Sequence, residues 1–309
     1  GFFLNTGTVT AGDFGLRLSG ASVDADNSGT IAATVSGVLT TANVRFSNSG
    51  HVAGEENAIS VEGSGDAGDI FNQGSIIGGN YGIRVFTNTE AQTLVNSGTI
   101  SGTIASYDTS AASESEDTIR NSGEMLGDVT LGTGNDRYLG SGDGWVDGTV
   151  FGGSGLDILR GGSRADSFEG GSGGDIMRGK GGDDTLWGDG GADVMRGNAG
   201  NDTLEGGNAK DTLNGGRDDD MLTGGAGADN FVFNRKAGDD EITDFGDGAD
   251  TIDLTAFGLR NVDFDQVLDA LGRAGGGARL LDLDALGGEG SVLLQGLTVA
   301  QAQLSDFVL

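Results

Sequence analysis

Between Gly152 and Val232 a large apolar residue returns at every ninth position: Leu159, Phe168, Met177, Leu186, Met195, Leu204, Leu213, Leu222 and Phe231. Two positions before each stands an aspartate, and the five positions before that are rich in Gly. A single apolar side chain between polar neighbours, bounded by Gly, is the pattern of a short half-buried strand. One such unit cannot bury its side chain alone. Nine of them in succession, without insertion, predict a stacked solenoid.

Residues 1–130 repeat differently. Asn-x-Gly recurs at Asn5, Asn27, Asn48, Asn72, Asn96 and Asn121, at intervals of 21 to 25 residues. Short alternating segments fall between, such as Gly15-Leu16-Arg17-Leu18 and Gly82-Ile83-Arg84-Val85. Two or three short strands per period predict a right-handed parallel β-helix. Its in-register Asn side chains are placed to hydrogen-bond along the stack, as amide ladders do in other stacked parallel strands. The variable stretch from Ser106 to Glu116 is expected to bulge as a loop.

The chemistry of the nonapeptide is also readable. Gly-rich turns take φ > 0 and let the backbone approach an ion closely. The aspartate at the sixth position (Asp157, Asp166, Asp175, Asp184, Asp193, Asp202, Asp211, Asp220 and Asp229) supplies a hard oxygen. Carbonyls complete a shell of six to eight oxygens, which suits calcium better than magnesium. Gly152-Gly153-Ser154-Gly155-Leu156-Asp157-Ile158-Leu159 resembles the RTX (repeats-in-toxin) calcium-binding nonapeptide, G-G-x-G-x-D-x-(apolar)-x. That resemblance implies a parallel β-roll with two nonapeptides per turn and calcium held between loops i and i+2. Nine loops then give about seven shared calcium sites. Arg164, Ala209 and Asp218 replace Gly at the fourth position, so the loops at Arg164 and Ala209 depart from the pattern. A partial match, Gly132-Thr133-Gly134-Asn135-Asp136, lies three residues out of register and marks a junction. It adds Asp136 to the candidate ligands.

After Val232 the segment Asp240 to Leu254 resembles the one that follows the repeats in serralysin-type and related RTX proteins, and adds Asp240 and Asp250 as candidate ligands. Val262 to Leu271 reads as a helix ended by Gly272, and Ala278 to Leu283 with Ser291 to Leu297 as a hairpin. The tail Leu304-Ser305-Asp306-Phe307-Val308-Leu309 resembles the uncleaved signal read by type I secretion machinery. The expected organisation is all-β: a parallel β-helix over 1–130, an RTX β-roll over 131–232, and a C-terminal cap with secretion signal over 233–309.

Composition narrows the function. The chain has 309 residues, 62 of them Gly, with no Pro, no Cys and a net charge of −30. Gly in this proportion usually accompanies disorder, but the fixed spacing of apolar residues opposes that reading. The acidity excludes nucleic acid and anionic membranes as partners. No apolar run is long enough to span a bilayer. Without Cys, and with His51 as the sole histidine, thiolate and two-His zinc sites are excluded. No His-Glu-x-x-His is present, and residues 1–130 do not cluster acids and bases on one face, so no enzyme is expected. Arg17 and Arg84 occupy equivalent places and are read as solubilising a strand face rather than contacting an acidic polysaccharide. Asp218-Asp219-Asp220 is read as a loop with extra charge.

Stacked aspartates repel, and Gly is costly to order, so the repeats are expected to be unfolded without calcium and folded by it. Extracellular calcium modules typically bind at about 10⁻⁴–10⁻³ M, above cytosolic free calcium. These readings converge on a secreted protein at the surface of, or outside, a Gram-negative bacterium, with a structural or adhesive role. A self-assembling filament or surface-layer subunit is the first alternative. A β-helix that binds or modifies cell-surface polysaccharide is the second.

Overall fold

The computed structural model describes residues 2–18, 23–40, 44–62, 69–86, 91–108, 116–246, 249–258, 267, 269–273, 279–295 and 306–309. Nearly all of these lie in short strands or the turns between them. The chain divides into two compact units, residues 1–163 and 164–309. Each is a parallel β-solenoid. No helix among the described residues is long and apolar enough to cross a membrane.

In the first unit, successive coils stack strand on strand in parallel register. Phe2–Asn5, Val23–Asn27, Val44–Asn48, Ile70–Asn72, Thr93–Asn96 and Thr118–Asn121 form one stack, with each Asn paired to the Asn of the next coil. Two further strands per coil, such as His51–Gly54 and Asn57–Glu62, stack in the same way. Ala25, Phe46, Ile70, Leu94 and Ile119 from the first stack are buried, as are Ile31, Val52, Ile76 and Ile100 from the second.

The Asn-x-Gly motif acquires its physical meaning here. Asn5, Asn27, Asn48, Asn72, Asn96 and Asn121 are buried, and each side-chain amide donates to the next side chain in the row at 2.8–2.9 Å, as far as Asn121. Asn121 then donates to the Tyr138 hydroxyl at 3.1 Å. From Gly29 onward, the Gly two residues on is required by close approach. A Cβ at Gly74 would run into the carbonyl oxygen of Gly50, and one at Gly98 into that of Gly74. The strand Thr99–Asp108 passes through Ser106, so the expected bulge begins later than Ser106. Residues 109–115 lie outside the described residues.

The second unit has two strands per turn. Ile176–Arg178, Val194–Ala199, Thr212–Arg217, Asn230–Val232, Thr251–Asp253 and Phe307–Val308 form one stack. Ser167–Ser172, Thr185–Gly190, Thr203–Asn208, Met221–Ala226, Lys236–Ile242 and Glu289–Leu294 form the other. The two rows of core side chains face inward: Met177, Met195, Leu213, Phe231 and Ile252 against Phe168, Leu186, Leu204, Leu222 and Ile242, all at 0% exposure. The apolar residue of every nonapeptide is therefore a core residue.

The C-terminal hairpin forms, with Arg279–Asp282 antiparallel to Glu289–Leu294. The hairpin strand Glu289–Leu294 lies parallel to Lys236–Ile242, so the same sheet passes from parallel to antiparallel pairing. The expected helix over 262–271 is corrected at its end. Val267, Asp269 and Ala270 are helical, but Leu271–Arg273 is a strand. Leu271 pairs opposite Leu281 and is buried, and Gly272 lies within the strand instead of ending a helix. A ladder partner outweighs the helical periodicity of so short a segment. Residues 262–266 and 268 lie outside the described residues, as do 278, 296–297 and 304–305.

Candidate metal centre

All twelve candidate aspartates are buried, from 0% exposure at Asp136, Asp175, Asp211 and Asp229 to 7% at Asp250. Burying a carboxylate requires compensation. Half of it comes from the backbone. The N–H of each aspartate donates to Oδ1 of the aspartate one turn later, in two rows. Asp166, Asp184, Asp202, Asp220 and Asp240 form one, with N···O distances of 2.8–2.9 Å. Asp175, Asp193, Asp211, Asp229 and Asp250 form the other, at 2.7–3.0 Å. In the first unit the same link joins Gln92 to Asp117, Asp117 to Asp136, and Asp136 to Asp157, each at 2.7 Å.

The second carboxylate oxygen is not compensated. Oδ2 of Asp136, Asp184, Asp193, Asp202, Asp211, Asp220, Asp229 and Asp240 is buried and accepts no hydrogen bond. In the array it lies against the first Gly of its own nonapeptide. A Cβ at Gly188 would sit 2.5 Å from Asp193 Oδ2, and one at Gly206 2.6 Å from Asp211 Oδ2. The first Gly of the motif therefore makes room for a carboxylate.

An ionised oxygen in this position is costly, and the aspartates respond. Burial pushes Asp184 and Asp220 up to about 8, Asp136, Asp193 and Asp240 to about 7, and Asp202 and Asp211 to about 6. Asp229 is raised for the same reason. The N–H bond to each opposes the shift, and neighbouring carboxylates add to it: Asp202 and Asp166 act on Asp184, and Asp175 and Asp211 on Asp193.

A row of buried, half-satisfied carboxylates fits a hard cation. Bound calcium supplies the positive charge that lets these groups remain ionised out of water. Among the described residues no three His, Asp or Glu side chains gather at one point. The aspartates would hold calcium together with backbone carbonyls of the stacked Gly-rich loops. Those loops have the left-handed backbone that exposes carbonyls: Gly171 and Gly173 have φ of 101° and 134°, and Gly191 has 136°.

The departures at the fourth position separate. Ala209 and Asp218 keep the left-handed conformation, at φ of 83° and 72°. Among the described residues neither Gly162 nor Arg164 takes a positive φ, so the loop 161–166 has a different shape. Asp218-Asp219-Asp220 divides into three roles. Asp218 Oδ2 accepts from the Gly200 N–H, Asp219 Oδ1 from the Asp239 N–H, and Asp220 belongs to the buried row. His51 donates to or accepts from the Ser75 hydroxyl at 2.6 Å, and the Arg84 guanidinium stacks 4.3 Å above the Tyr81 ring.

Asp250 differs from its row. Its Oδ1 accepts from Asp229 and its Oδ2 from the Gly246 N–H, so both oxygens are engaged. Asp244, which sequence reading missed, accepts from both Gly224 and Gly225 N–H groups, at 3.0 and 2.7 Å. It closes the last Gly-rich loop with a carboxylate and lies outside the nine-residue spacing, which is why the period did not reveal it.

With this geometry established, comparison with known families is direct. The model of the RTX calcium-binding nonapeptide repeat, four copies long, matches residues 151–186, 169–204 and 205–235. Residues 151–235 are thus an array of RTX calcium-binding repeats, in a chain whose N-terminal residues form a parallel β-helix. A search of curated proteins returned no match.

Proposed function

We propose that this is a non-catalytic, secreted calcium-binding β-solenoid that folds on meeting extracellular calcium and serves a structural or adhesive role at the cell surface or in the matrix. The observation that carries this reading is the row of buried, unpaired Oδ2 atoms in the nonapeptide array. Without a cation the folded array holds carboxylates that must take up protons or repel. With one, the same groups become ligands, and binding free energy becomes folding free energy.

Burial also supports a non-catalytic reading, because a substrate has no access to carboxylates exposed by at most 7%. Export through type I machinery accords with the C-terminal tail. In the folded chain Phe307 is buried and pairs with Ile252, so the tail is available for recognition only before the last strand docks.

A far-ultraviolet circular-dichroism titration from excess chelator into millimolar calcium tests the folding claim. A gain of β structure is expected, and full β structure in chelator would overturn it. Negative-stain microscopy over the same range tests the role. Discrete particles accord with a stalk or adhesive arm, whereas fibres or lattices would replace it with a self-assembling subunit.

A further inference from the structure

The carboxylate row does not stop where the repeat array stops. Leu131 to Leu139 sits in register with Gly152 to Arg160: Gly132 pairs with Gly153 and Thr133 with Ser154. Its loop reproduces the array bond for bond. Gly132 and Gly134 have φ of 107° and 137°, against 109° and 138° at Gly153 and Gly155. The Gly134 N–H donates to the Ser154 carbonyl at 2.8 Å, as the Gly173 N–H does to the Gly190 carbonyl at 2.7 Å. A Cβ at Gly155 would run into the Gly134 carbonyl, as one at Gly191 would into that of Gly173. Asp136 is fully buried, its N–H donates to Asp157 Oδ1, and its Oδ2 accepts nothing.

The three-residue slip seen in sequence lies between the loops. Residues 140–151 return the chain over twelve positions where a nonapeptide uses nine. The family match begins only at residue 151, and the loop falls in the first compact unit.

We propose that Asp136 and the backbone carbonyls of the stacked loops 131–136 and 152–157 form a further calcium site, one that makes the last coils of the asparagine-laddered unit depend on calcium. The inference rests on the calcium reading of the array and extends it to a coil of different construction. The position of this coil gives the site its consequence. Tyr138, two residues from Asp136, receives the final bond of the asparagine ladder, and Asp136 Oδ1 receives the N–H of Asp117. Neutralising the Asp136 carboxylate thus secures one coil that terminates one ladder and carries the other. Leu131 stands where the array has Gly, so this site is expected to fill at its own calcium concentration.

The test uses the full chain with Asp136→Asn, which keeps an oxygen for the Asp117 N–H but removes the charge, and Asp193→Asn as the array control. Calcium is counted by equilibrium dialysis, and hydrogen exchange is followed over residues 117–140. Asp136→Asn is expected to lose one ion and the calcium-dependent protection of 117–140, while Asp193→Asn loses its ion from the array and keeps that protection. A full ion count with unchanged protection in Asp136→Asn overturns the site while leaving the array intact. Should both variants keep the full count, the array reading fails with it. If Asp136→Asn does not fold, exchange in the unsubstituted chain decides. Protection of 131–140 only in calcium supports the site, and equal protection in chelator overturns it.

Discussion

Asn121 donates its side-chain amide to the Tyr138 hydroxyl across 3.1 Å, and there a ladder of six buried asparagines ends on a phenol. The ladder runs inside the first unit, where an unpaired amide has no access to water. Asn72 shows the number of bonds at stake. It accepts from Asn48 at 2.9 Å and donates to Asn96 at 2.8 Å, to Thr99 O at 3.2 Å and to Gly74 O at 3.3 Å. Asn72→Ala is expected to destabilise the unit by about 2–4 kcal/mol, since neighbours are left unsatisfied as well. Tyr138→Phe should cost only about 1 kcal/mol, because Asn121 keeps its bond to Trp145 O. Urea melts at fixed calcium measure both, and equal losses would contradict the ladder.

Acid should strengthen the calcium-free array. The folded-state values of about 6 to 8 for Asp184, Asp193, Asp202, Asp211, Asp220 and Asp240 lie above the ordinary range of an unfolded aspartate, near 4. Between these limits the folded chain binds more protons than the unfolded one, so stability falls as pH rises. In chelator, circular dichroism at pH 5 is expected to show more residual β structure than at pH 8. In calcium the order of dependence reverses, because protons compete with the ion, and the calcium midpoint rises as pH falls. Residual β structure in chelator that increases with pH would contradict the burial account.

Asp202→Asn separates the two duties of the carboxylate. The amide oxygen still accepts the Asp184 N–H, which donates at 2.8 Å to the native side chain. The negative charge and its burial cost are gone. In chelator at pH 8 the variant is expected to hold more β structure than the native chain, and in saturating calcium to melt below it. Circular dichroism in chelator and melts in calcium check the crossing.

Glycines divide by what surrounds them. Gly191 has φ of 136°, and a Cβ there would meet the Gly173 carbonyl. Gly191→Ala is expected to cost about 3 kcal/mol or more. Gly12 has open space, with nothing within 4 Å of a built Cβ. Gly12→Ala should shift stability by no more than about 0.5 kcal/mol. Calorimetry of the pair in calcium reads the contrast directly.

Much of the fold and of the site is legible in the sequence. The apolar eighth position is core in every nonapeptide, and the sixth-position aspartates form continuous rows, because both are set by a strict period. The Asn-x-Gly repeats stack as read, although the reason for Gly, a carbonyl pressed against its Cα, belongs to the packing. Three features lay beyond the period. The loop at Gly132 to Asp136 joins the stack because the backbone absorbs three extra residues elsewhere in the turn. Asp244 and Asp250 close loop ends from irregular positions. Leu271 leaves its helical pattern because Leu281, ten residues on, offers a ladder partner. Nor could spacing show that along the rows, from Asp184 to Asp240, one carboxylate oxygen serves the backbone and leaves only the other for an ion.

The two buried ladders share a direction. Asn5 donates to Asn27 and Asn27 to Asn48, just as Asp184 donates to Asp202 and Asp202 to Asp220. Each coil brings a donor and waits for its acceptor from the coil that follows. Wherever either row is interrupted, the coil before the break is left with an open side-chain or aspartate N–H donor, and the coil after it with an open acceptor oxygen. The polarity of a hydrogen bond, repeated along the stack, thereby gives each broken face a chemical sign, and only a face of the opposite sign can close it.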